Sequence, residues 1–235
     1  MTSAYRFLAL SDHWLARVVR GAYRFLSNFS MPAPRWLVVP WLAAVIAVRE
    51  VVYFVQRVFW CEPLFKAYCA SHGRRLKTGV FLHWVQGKGK LTVGDNVTVD
   101  GKSSFVFAVR YCDEPALEIG SNTIIGHNCS FTVGKKITVG SHCLIAGNVQ
   151  MFDSPGHAMD PAGRKAGQPA RIEDVLPIVI EDNVWIGRNA IIFPGVRIGE
   201  GSVVAMGTVV MNSIPPNTVV AGNPARQIRS LAKPD

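Results

Sequence analysis

Aliphatic residues recur at every sixth position near the C-terminus of the chain. The positions are Ile180, Ile186, Ile192, Ile198, Val204 and Val210, and small or β-branched residues stand four places after each of the first five. An α-helix repeats about every 3.6 residues and a strand every second residue, so neither alone produces this period. Short strands joined by tight turns do, because each turn restarts the pleat. The pattern predicts a coil of short parallel strands with an aliphatic lining.

The same repeat extends upstream to about residue 81. The positions expected to face the interior are Phe81, Val93, Val99, Phe105, Ile119, Ile125, Val133, Val139, Ile145 and Met151, accompanied by Val85, Val97, Ser103, Val109, Ile137, Cys143 and Val149. A two-residue slip falls between Ile125 and Val133. Glycine, asparagine and aspartate crowd between the strands, as repeated tight corners require. We therefore expect one all-β domain over residues 81–229, followed by a short tail at 230–235.

The register stops after Met151 and resumes only at Ile180. Residues 152–178 are therefore expected to loop out of the coil. Long loops in compact domains are commonly functional.

Four short motifs accompany the last part of the repeat. They are NVWIG at 183–187, PGVRIG at 194–199, IPPN at 214–217 and AGNPA at 221–225. With the repeat, they resemble the hexapeptide-repeat acyltransferases, and among these the maltose/galactoside O-acetyltransferase branch. The resemblance covers about residues 81–229. It implies a left-handed parallel β-helix, acetyl-CoA as cosubstrate without a metal, and a homotrimer with its sites between neighbouring subunits.

Residues 1–80 are not explained by this resemblance and form a basic, apolar appendage. They hold eleven Lys and Arg against three Asp and Glu, whereas the rest of the chain holds fourteen against thirteen. The first 30 residues are typical of an amphipathic helix, because apolar and arginine positions interleave. Residues 36–48 carry no charge, but Pro40 interrupts them, and a membrane span needs about 18–20 apolar residues.

Besides a true membrane span, two interpretations of the appendage remain open. The helices could pack on the coil or on a neighbouring subunit and cap the open end. Alternatively, basic residues beside aromatic ones suit the headgroups of an anionic membrane surface. The second interpretation predicts a cytoplasmic protein that is peripheral on the inner face of the cytoplasmic membrane. No motif that binds nucleic acid accompanies the positive charge, so nucleic acid is not an expected partner.

The five cysteines show no CxxC spacing, and Cys129 and Cys143 fall at interior positions of the repeat. They are best explained as small core residues in a reduced cytoplasm.

Transfer of an acyl group from a thioester to a hydroxyl needs a general base that works near pH 7, and histidine suits this role. Five of the six histidines fall in the appendage, at its junction or at turns: His13, His72, His83, His127 and His142. His157 alone stands in the 152–178 loop. The resemblance implies that His157 takes the proton of the acceptor hydroxyl as its oxygen attacks acetyl-CoA, without an acyl-enzyme.

Two further residues are candidates for binding the acceptor. Asp153 could orient the imidazole of His157 or bind a sugar hydroxyl, and an Asp that caps its own loop backbone is the alternative. Asn128 aligns approximately with an asparagine that contacts the acceptor in the family. A corner asparagine of the coil is the alternative for Asn128.

The donor site is expected in the last coils, where a groove between parallel coils suits the pantetheine arm of CoA. The residues that the resemblance assigns to it are Trp185, Gly187, Ala205, Met206, Arg226 and Arg229. The two arginines would hold phosphate through their forked donors, and Trp185 could also be a subunit contact. The family often has Thr-Lys before this IPP motif, where this chain has Met211 and Asn212, so one phosphate-directed lysine is missing.

These residues favour an acetyl-CoA-dependent O-acetyltransferase that acts on a sugar or glycan, in particular a membrane-associated or lipid-linked saccharide. A small soluble acceptor, such as an amino acid, sugar or antibiotic, is the alternative within the same class. A zinc enzyme like the γ-class carbonic anhydrases needs three histidines around the metal, but His127, His142 and His157 are spaced by fifteen residues. A coil that only displays a surface is the third possibility.

Overall fold

The computed structural model describes residues 3–231, and the chain divides into two compact units, Met1–Glu50 and Val51–Asp235. Residues 232–235 of the expected tail lie outside the described residues. The helices within the described residues are α1 (Ser3–Leu10), α2 (Trp14–Asn28), α3 (Arg35–Gln56), α4 (Glu62–Tyr68) and α5 (Pro161–Lys165), with a π-helical turn at Arg57–Cys61 and a 3-10 turn at Ile172–Asp174. α3 crosses the boundary between the units.

The N-terminal unit differs from the single amphipathic helix expected over the first 30 residues. The chain breaks between α1 and α2, where the His13 side chain caps α2 by accepting a hydrogen bond from the Leu15 amide. Arg20 donates to the carbonyls of Leu8 and Ser11 at 2.8 and 2.9 Å. The arginine thus satisfies carbonyl groups that the end of α1 leaves free, which stabilises two helices in place of one.

Pro40 lies inside α3, so the expectation that it interrupts the apolar stretch was wrong. One proline removes a single amide donor, and the helix-forming residues that follow outweigh that loss. With the π-helical turn and α4, the helical run spans Arg35–Tyr68 and is long and apolar enough to cross a membrane by length and composition. No residue of α3 is buried.

The C-terminal unit winds through short strands. Within the described residues they are β1 (Ser71–His72), β2 (Lys77–Thr78), β3 (Trp84–Gln86), β4 (Lys90–Val93), β5 (Thr98–Val99), β6 (Ser104–Phe107), β7 (Ala116–Ile119), β8 (Ile124–Ile125), β9 (Ser130–Val133), β10 (Lys136–Val139), β11 (Leu144–Ile145), β12 (Gln150–Phe152), β13 (Ile178–Ile180), β14 (Trp185–Ile186), β15 (Ile191–Ile192), β16 (Arg197–Ile198), β17 (Val203–Val204), β18 (Val209–Val210), β19 (Thr218–Ala221) and β20 (Arg226–Ser230).

These strands form three sheets. Sheet A has the order β1-β4-β7-β10-β13-β16, sheet B the order β2-β5-β8-β11-β14-β17-β19-β20, and sheet C the order β3-β6-β9-β12-β15-β18. Every pairing is parallel except that of β19 with β20. Since every third strand returns to the same sheet, the chain makes six successive coils, and the strands meet at an A–B, a B–C and a C–A corner. This is the parallel β-helix that the repeat predicts.

The interior of the β-helix is aliphatic and aromatic, as the repeat indicates, but its edges differ from the expected register. The coil begins at Ser71 instead of residue 81. Phe81 and Val109 are 39% and 51% exposed, and Leu76 and Thr78 line the first coil. The physical reason is that extra residues enter at the C–A corners, and one enters at the B–C corner of the first coil between Thr78 and Val85. These insertions shift the six-residue register without disturbing the strands. The two-residue slip lies after Val133, so Phe131 also faces the interior.

α4 covers the open end of the first coil. Its Phe65 is buried in the same core cluster as Leu76 and Phe105. The ring of His83 lies 4.5 Å from that of Phe65 and 5.7 Å from that of Phe105. Both ring nitrogens of His83 are buried without a hydrogen-bond partner among the described residues, and burial lowers the pKa of His83 to about 4. For residues 62–68, the packing interpretation of the appendage therefore agrees with the structure.

Candidate functional site

A loop leaves the C–A corner of the fourth coil after β12 and returns at β13. It contains α5 and the 3-10 turn, and His157 lies near its start. His157 is exposed and forms an isolated antiparallel bridge with Pro169, beside the hydrogen bond from the Ala158 amide to the Gln168 carbonyl. Its imidazole has no hydrogen bond or ion pair within residues 3–231. The backbone of His157 is therefore held in place, and its ring nitrogens are open to a ligand.

Asp153 is fully buried at the root of this loop. Its carboxylate accepts hydrogen bonds from the amides of Gly134, Lys135 and Lys136 at 2.5, 2.7 and 2.8 Å. Burial raises the pKa of the Asp153 carboxyl, and the three amide bonds act against that rise. The amides of the preceding coil occupy its oxygens, and this arrangement favours the alternative of a backbone cap over contact with His157 or a sugar hydroxyl.

Tyr111 supports the same loop, and sequence reasoning missed it. It lies in a second excursion at the C–A corner, between β6 and β7. Its hydroxyl donates to the carbonyl of Gly156 at 3.2 Å, directly before His157. The Tyr111 side chain is buried in a small cluster with Ala170 and Val175 of the loop. The available signal was the spacing from Phe105 to Ile119, because fourteen residues are not a multiple of six.

Hydrogen bonds to main-chain carbonyl groups complete the attachment of the loop. The Lys135 amine donates to the Ile172 carbonyl at 2.8 Å. The Leu176 amide donates to the Asp153 carbonyl, also at 2.8 Å, and the Leu176 carbonyl accepts from the Gly195 amide. The loop is thus held at both ends and in its middle, which limits the positions that His157 can adopt.

Asn128 stands at the B–C corner, not at the C–A corner that carries His157. Its φ of 58° lies in the left-handed region, where asparagine is favoured. Its side-chain amide donates to Asn148, whose amide in turn donates to Asn189, at 3.0 and 3.1 Å. The acceptor-binding role of Asn128 stays a prediction, since a single chain does not bring Asn128 and His157 together. The corner requires an asparagine for backbone reasons, which is the alternative interpretation.

Three of the residues assigned to the donor site meet at the B–C corner of the last coils. A Cβ atom on Gly187 would lie 2.6 Å from the Met206 nitrogen and 2.8 Å from the Ala205 carbonyl carbon. Only glycine allows this approach of the two coils. Trp185 lies two residues earlier in β14 and is 51% exposed on the outer face of sheet B.

Arg226 and Arg229 share the outer face of sheet B with Trp185. Trp185 pairs with Val203, Val203 with Val219, and Val219 with Arg229 across successive strands. Arg226 pairs with Ala221, which lies on the same face as Val219. Three strand spacings of about 4.8 Å separate Trp185 from Arg229, or roughly 14 Å. Both arginines are exposed, and neither forms an ion pair among the described residues.

The histidines do not form a metal centre within the described chain. His127, His142 and His157 occupy the B–C, A–B and C–A corners respectively. Residues 3–231 contain no group of three or more His, Cys, Asp or Glu side chains placed to hold a metal ion. His142 instead has a left-handed φ of 58° and shares a hydrogen bond of 3.3 Å with Asn122. Nothing in this arrangement supports the zinc-enzyme alternative.

The repeat is similar to that of known proteins. Residues 117–150 and 177–212 match the hexapeptide repeat of succinyl-transferase. A putative acetyltransferase of Schizosaccharomyces pombe is 43% identical over 115 residues, or 49% of this chain and 53% of that protein. Galactoside O-acetyltransferase of Escherichia coli is 36% identical over 140 residues, or 60% of this chain and 64% of that protein. The chain thus spans about half to two-thirds of the length of the curated relatives it matches.

A solved structure extends the similarity. A hexapeptide-repeat acetyltransferase of Vibrio cholerae is 31% identical with a TM-score of 0.52, covering 73% of this chain and 80% of that one. A second structure of the same protein, complexed with acetyl coenzyme A, covers 81% of this chain and 89% of that one with a TM-score of 0.53. The likeness confirms the left-handed β-helix expected from the sequence.

Proposed function

The chain belongs to the hexapeptide-repeat acyltransferase family, and from that premise we propose that it transfers an acetyl group from acetyl-CoA to a hydroxyl of a sugar or glycan. The observation that carries the proposal is the placement of His157. It is an exposed imidazole that has no side-chain partner among residues 3–231, on a loop that Asp153, Tyr111 and Lys135 attach to the coil. A general base needs these two properties, a free nitrogen and a fixed position.

His157 acts as the general base of this reaction. It takes the proton from the acceptor hydroxyl while the oxygen attacks the thioester carbonyl carbon. The carbon–sulfur bond then breaks, and the proton passes from the imidazolium to the departing CoA sulfur. The enzyme forms no covalent intermediate, so the transfer is direct and the histidine returns to its neutral state.

The donor lies along the outer face of sheet B. The Gly187 corner, packed against Ala205 and Met206, offers main-chain groups to the amides of the pantetheine arm. Arg226 and Arg229 stand roughly 14 Å from Trp185, by three strand spacings, and take the phosphates at the far end. The exposed ring of Trp185 borders the arm. The missing lysine before the IPP motif leaves these arginines as the phosphate contacts.

The acceptor is a saccharide, which is supported by the galactoside O-acetyltransferase of Escherichia coli among the relatives. A single chain does not enclose this site, because His157 lies at the C–A corner and the donor residues lie on sheet B and at the B–C corner. Completion of the site requires a neighbouring copy, and a homotrimer brings the C–A corner of one subunit to sheet B of the next.

The N-terminal helices attach the enzyme to the cytoplasmic face of the cytoplasmic membrane. α2 places Arg17, Arg20 and Arg24 among exposed apolar side chains, and α3 is apolar without any buried residue. An enzyme held at a membrane suits a membrane-associated or lipid-linked saccharide better than a freely diffusing sugar. Three anchors in a trimer would combine modest affinities into firm attachment.

Incubation with acetyl-labelled acetyl-CoA and a panel of acceptors tests the reaction. The panel should contain soluble sugars, lipid-linked saccharides, amino acids and aminoglycosides, with mass spectrometry to locate the acetyl group. We expect an O-acetyl ester on a saccharide and release of free CoA. Acetylation of an amine, or binding of acetyl-CoA with no transfer to any hydroxyl compound, would contradict the proposal.

A further inference from the structure

The N-terminal end of the β-helix carries a surface that neither the coil nor the reaction explains. It consists of the first coil, the residues that lead from it into the second coil as far as Lys90, the π-helical turn and α4, and we name it the terminal surface. Its exposed apolar side chains are Phe59, Trp60, Leu64, Tyr68, Leu82 and Trp84, and its exposed basic side chains are Arg74, Arg75, Lys77, Lys88 and Lys90. We propose that the terminal surface docks on an anionic lipid bilayer.

Charge is concentrated at this end of the β-helix. Residues 57–90 hold seven Lys and Arg against one acidic residue, Glu62, whereas residues 91–235 hold twelve against thirteen. Glu62 pairs with Arg57 and Lys66 at 3.5 and 2.7 Å. Among the described residues, the one ion pair of these five basic side chains joins Arg74 to Asp95 at 3.9 Å, and the Arg74 side chain is 91% exposed. Positive charge therefore remains available to an anionic partner.

Edge protection explains only part of this surface. β1, β2 and β3 each pair with one neighbour, and lysines on such edge strands discourage pairing with another sheet. Exposed aromatic rings promote association in water, yet Trp60 and Trp84 are 63% and 66% exposed. Basic side chains combined with Trp and Phe are typical of elements that lie in the membrane interface.

A second copy of the chain is a poorer partner for the terminal surface. Two such surfaces facing each other would bring like charges together, which opposes association. An anionic bilayer matches both parts, because its headgroups attract the basic side chains and its interface accepts the tryptophans. The π-helical turn and α4 precede the first coil in the chain, and Phe65 of α4 packs into this end of the β-helix.

Docking at this end has a consequence for the acceptor, and this consequence rests on the proposed function. His157 follows the fourth coil, three strand spacings from the first. At about 4.8 Å each, the spacings place it roughly 14 Å above the terminal surface. The enzyme therefore acetylates a hydroxyl that projects from the bilayer, as on a lipid-linked saccharide, and not a hydroxyl of the lipid headgroup itself.

A charge variant of the full-length protein tests the docking. Binding is measured by sedimentation with vesicles of phosphatidylcholine alone and of an equal mixture with phosphatidylglycerol. Each basic residue near an anionic surface contributes roughly a fivefold factor. We expect the triple variant Arg74→Gln, Arg75→Gln, Lys77→Gln to lower the preference for the anionic vesicles at least tenfold.

The matched control removes the same charge from other exposed positions of the β-helix domain: Lys165→Gln, Arg171→Gln, Arg188→Gln. We expect it to change the preference less than about twofold, since these residues lie away from the first coil. Equal effects of the two triple variants would overturn the docking surface. So would a change of oligomeric mass in the first variant without a change in vesicle binding, because the surface would then be a contact between copies.

The aromatic part is tested separately with Trp60→Ser, Trp84→Ser, against Trp185→Ser, which removes another exposed tryptophan. The double variant should weaken binding severalfold to both kinds of vesicle, and Trp185→Ser should not. An unchanged double variant would contradict the proposal. Acetyl-CoA titration of the unmodified protein separates the two hypotheses: absence of binding there counts against the proposed reaction, whereas the vesicle results decide the docking alone.

Discussion

At the residue scale, His157 is the candidate general base, and Asp153 and Tyr111 hold the loop that carries it. His157 was conspicuous because it stands where the repeat stops, and a break in a strict period is visible in one dimension. Asp153 and Tyr111 support its loop through contacts with Gly134 and Gly156, 19 and 45 residues away in the chain. The way the coils stack determines such pairings, so residue type alone did not reveal the amides that Asp153 caps.

Replacement of Asp153 by Ala tests its structural role. The change leaves the buried amides of Gly134, Lys135 and Lys136 without an acceptor, and each unsatisfied group costs about 1–3 kcal/mol. We expect the free energy of unfolding to fall by about 3 kcal/mol or more in urea titrations. The control Asp160→Ala removes an exposed cap of α5 and should cost about 1 kcal/mol. Unchanged stability of the first variant would show that the carboxylate binds a ligand instead.

His83 predicts an acid-dependent loss of stability. Its folded pKa of about 4 lies below the ordinary value of 6.5, so the unfolded chain binds more protons between these values. Stability therefore rises with pH in this window and is lost as pH falls from about 6.5 to 4, by up to about 3 kcal/mol. In the variant His83→Phe this loss should disappear, while exposed His72→Phe should behave as the original protein. If the free energy of unfolding changed with pH in the same way in the original protein and in His83→Phe, this prediction would be contradicted.

At the scale of elements, the six-residue period predicted the strands and most interior positions. The period failed where extra residues enter at a corner, chiefly the C–A corner. An insertion there changes the number of residues between interior positions without changing the path of the strands. The appendage was harder to predict, since the break between α1 and α2 depends on Arg20 reaching two carbonyls of the preceding segment. α3 continues through Pro40 because the helix propensities of its many other residues outweigh the cost of one proline. Pro40 alone suggested, wrongly, that the helix breaks there.

The loop acts as one element, and Tyr111→Phe tests how it is held. The ring stays packed against Ala170 and Val175, and only the hydrogen bond to the Gly156 carbonyl is lost. One such bond contributes about 1 kcal/mol, so we expect kcat to fall about fivefold with the Kd for acetyl-CoA unchanged. A purely structural effect would instead lower stability and leave kcat of the folded fraction intact.

At the scale of the whole molecule, the sequence separated a basic appendage from a nearly neutral β-helix, but it placed the boundary too late. The structure assigns residues from Val51 onward to the C-terminal unit and uses Phe65 of α4 to close the coil. α4 covers the end of the β-helix but does not follow the six-residue repeat. Its apolar residues were therefore assigned to the appendage.

Deletion of residues 1–50 tests whether the N-terminal unit serves in membrane attachment and the C-terminal unit in binding acetyl-CoA. The remaining unit keeps α4 and all described strands, so we expect it to bind acetyl-CoA and to have the mass of a trimer in light scattering. Binding to anionic vesicles should fall at least tenfold and become strongly sensitive to salt, because only the terminal surface remains. Aggregation, or a monomer that no longer binds acetyl-CoA, would mean that the appendage is needed for assembly.

Direct transfer with His157 as the general base is the central claim, and kcat of His157→Ala tests it most directly, using the acceptor found in the panel. Loss of a general base costs about 10²–10⁴-fold in rate. We expect kcat to fall by that factor, the Kd for acetyl-CoA to stay within about twofold, and the corner variant His142→Ala to retain near-normal kcat. A His157→Ala enzyme with near-normal kcat would contradict the account.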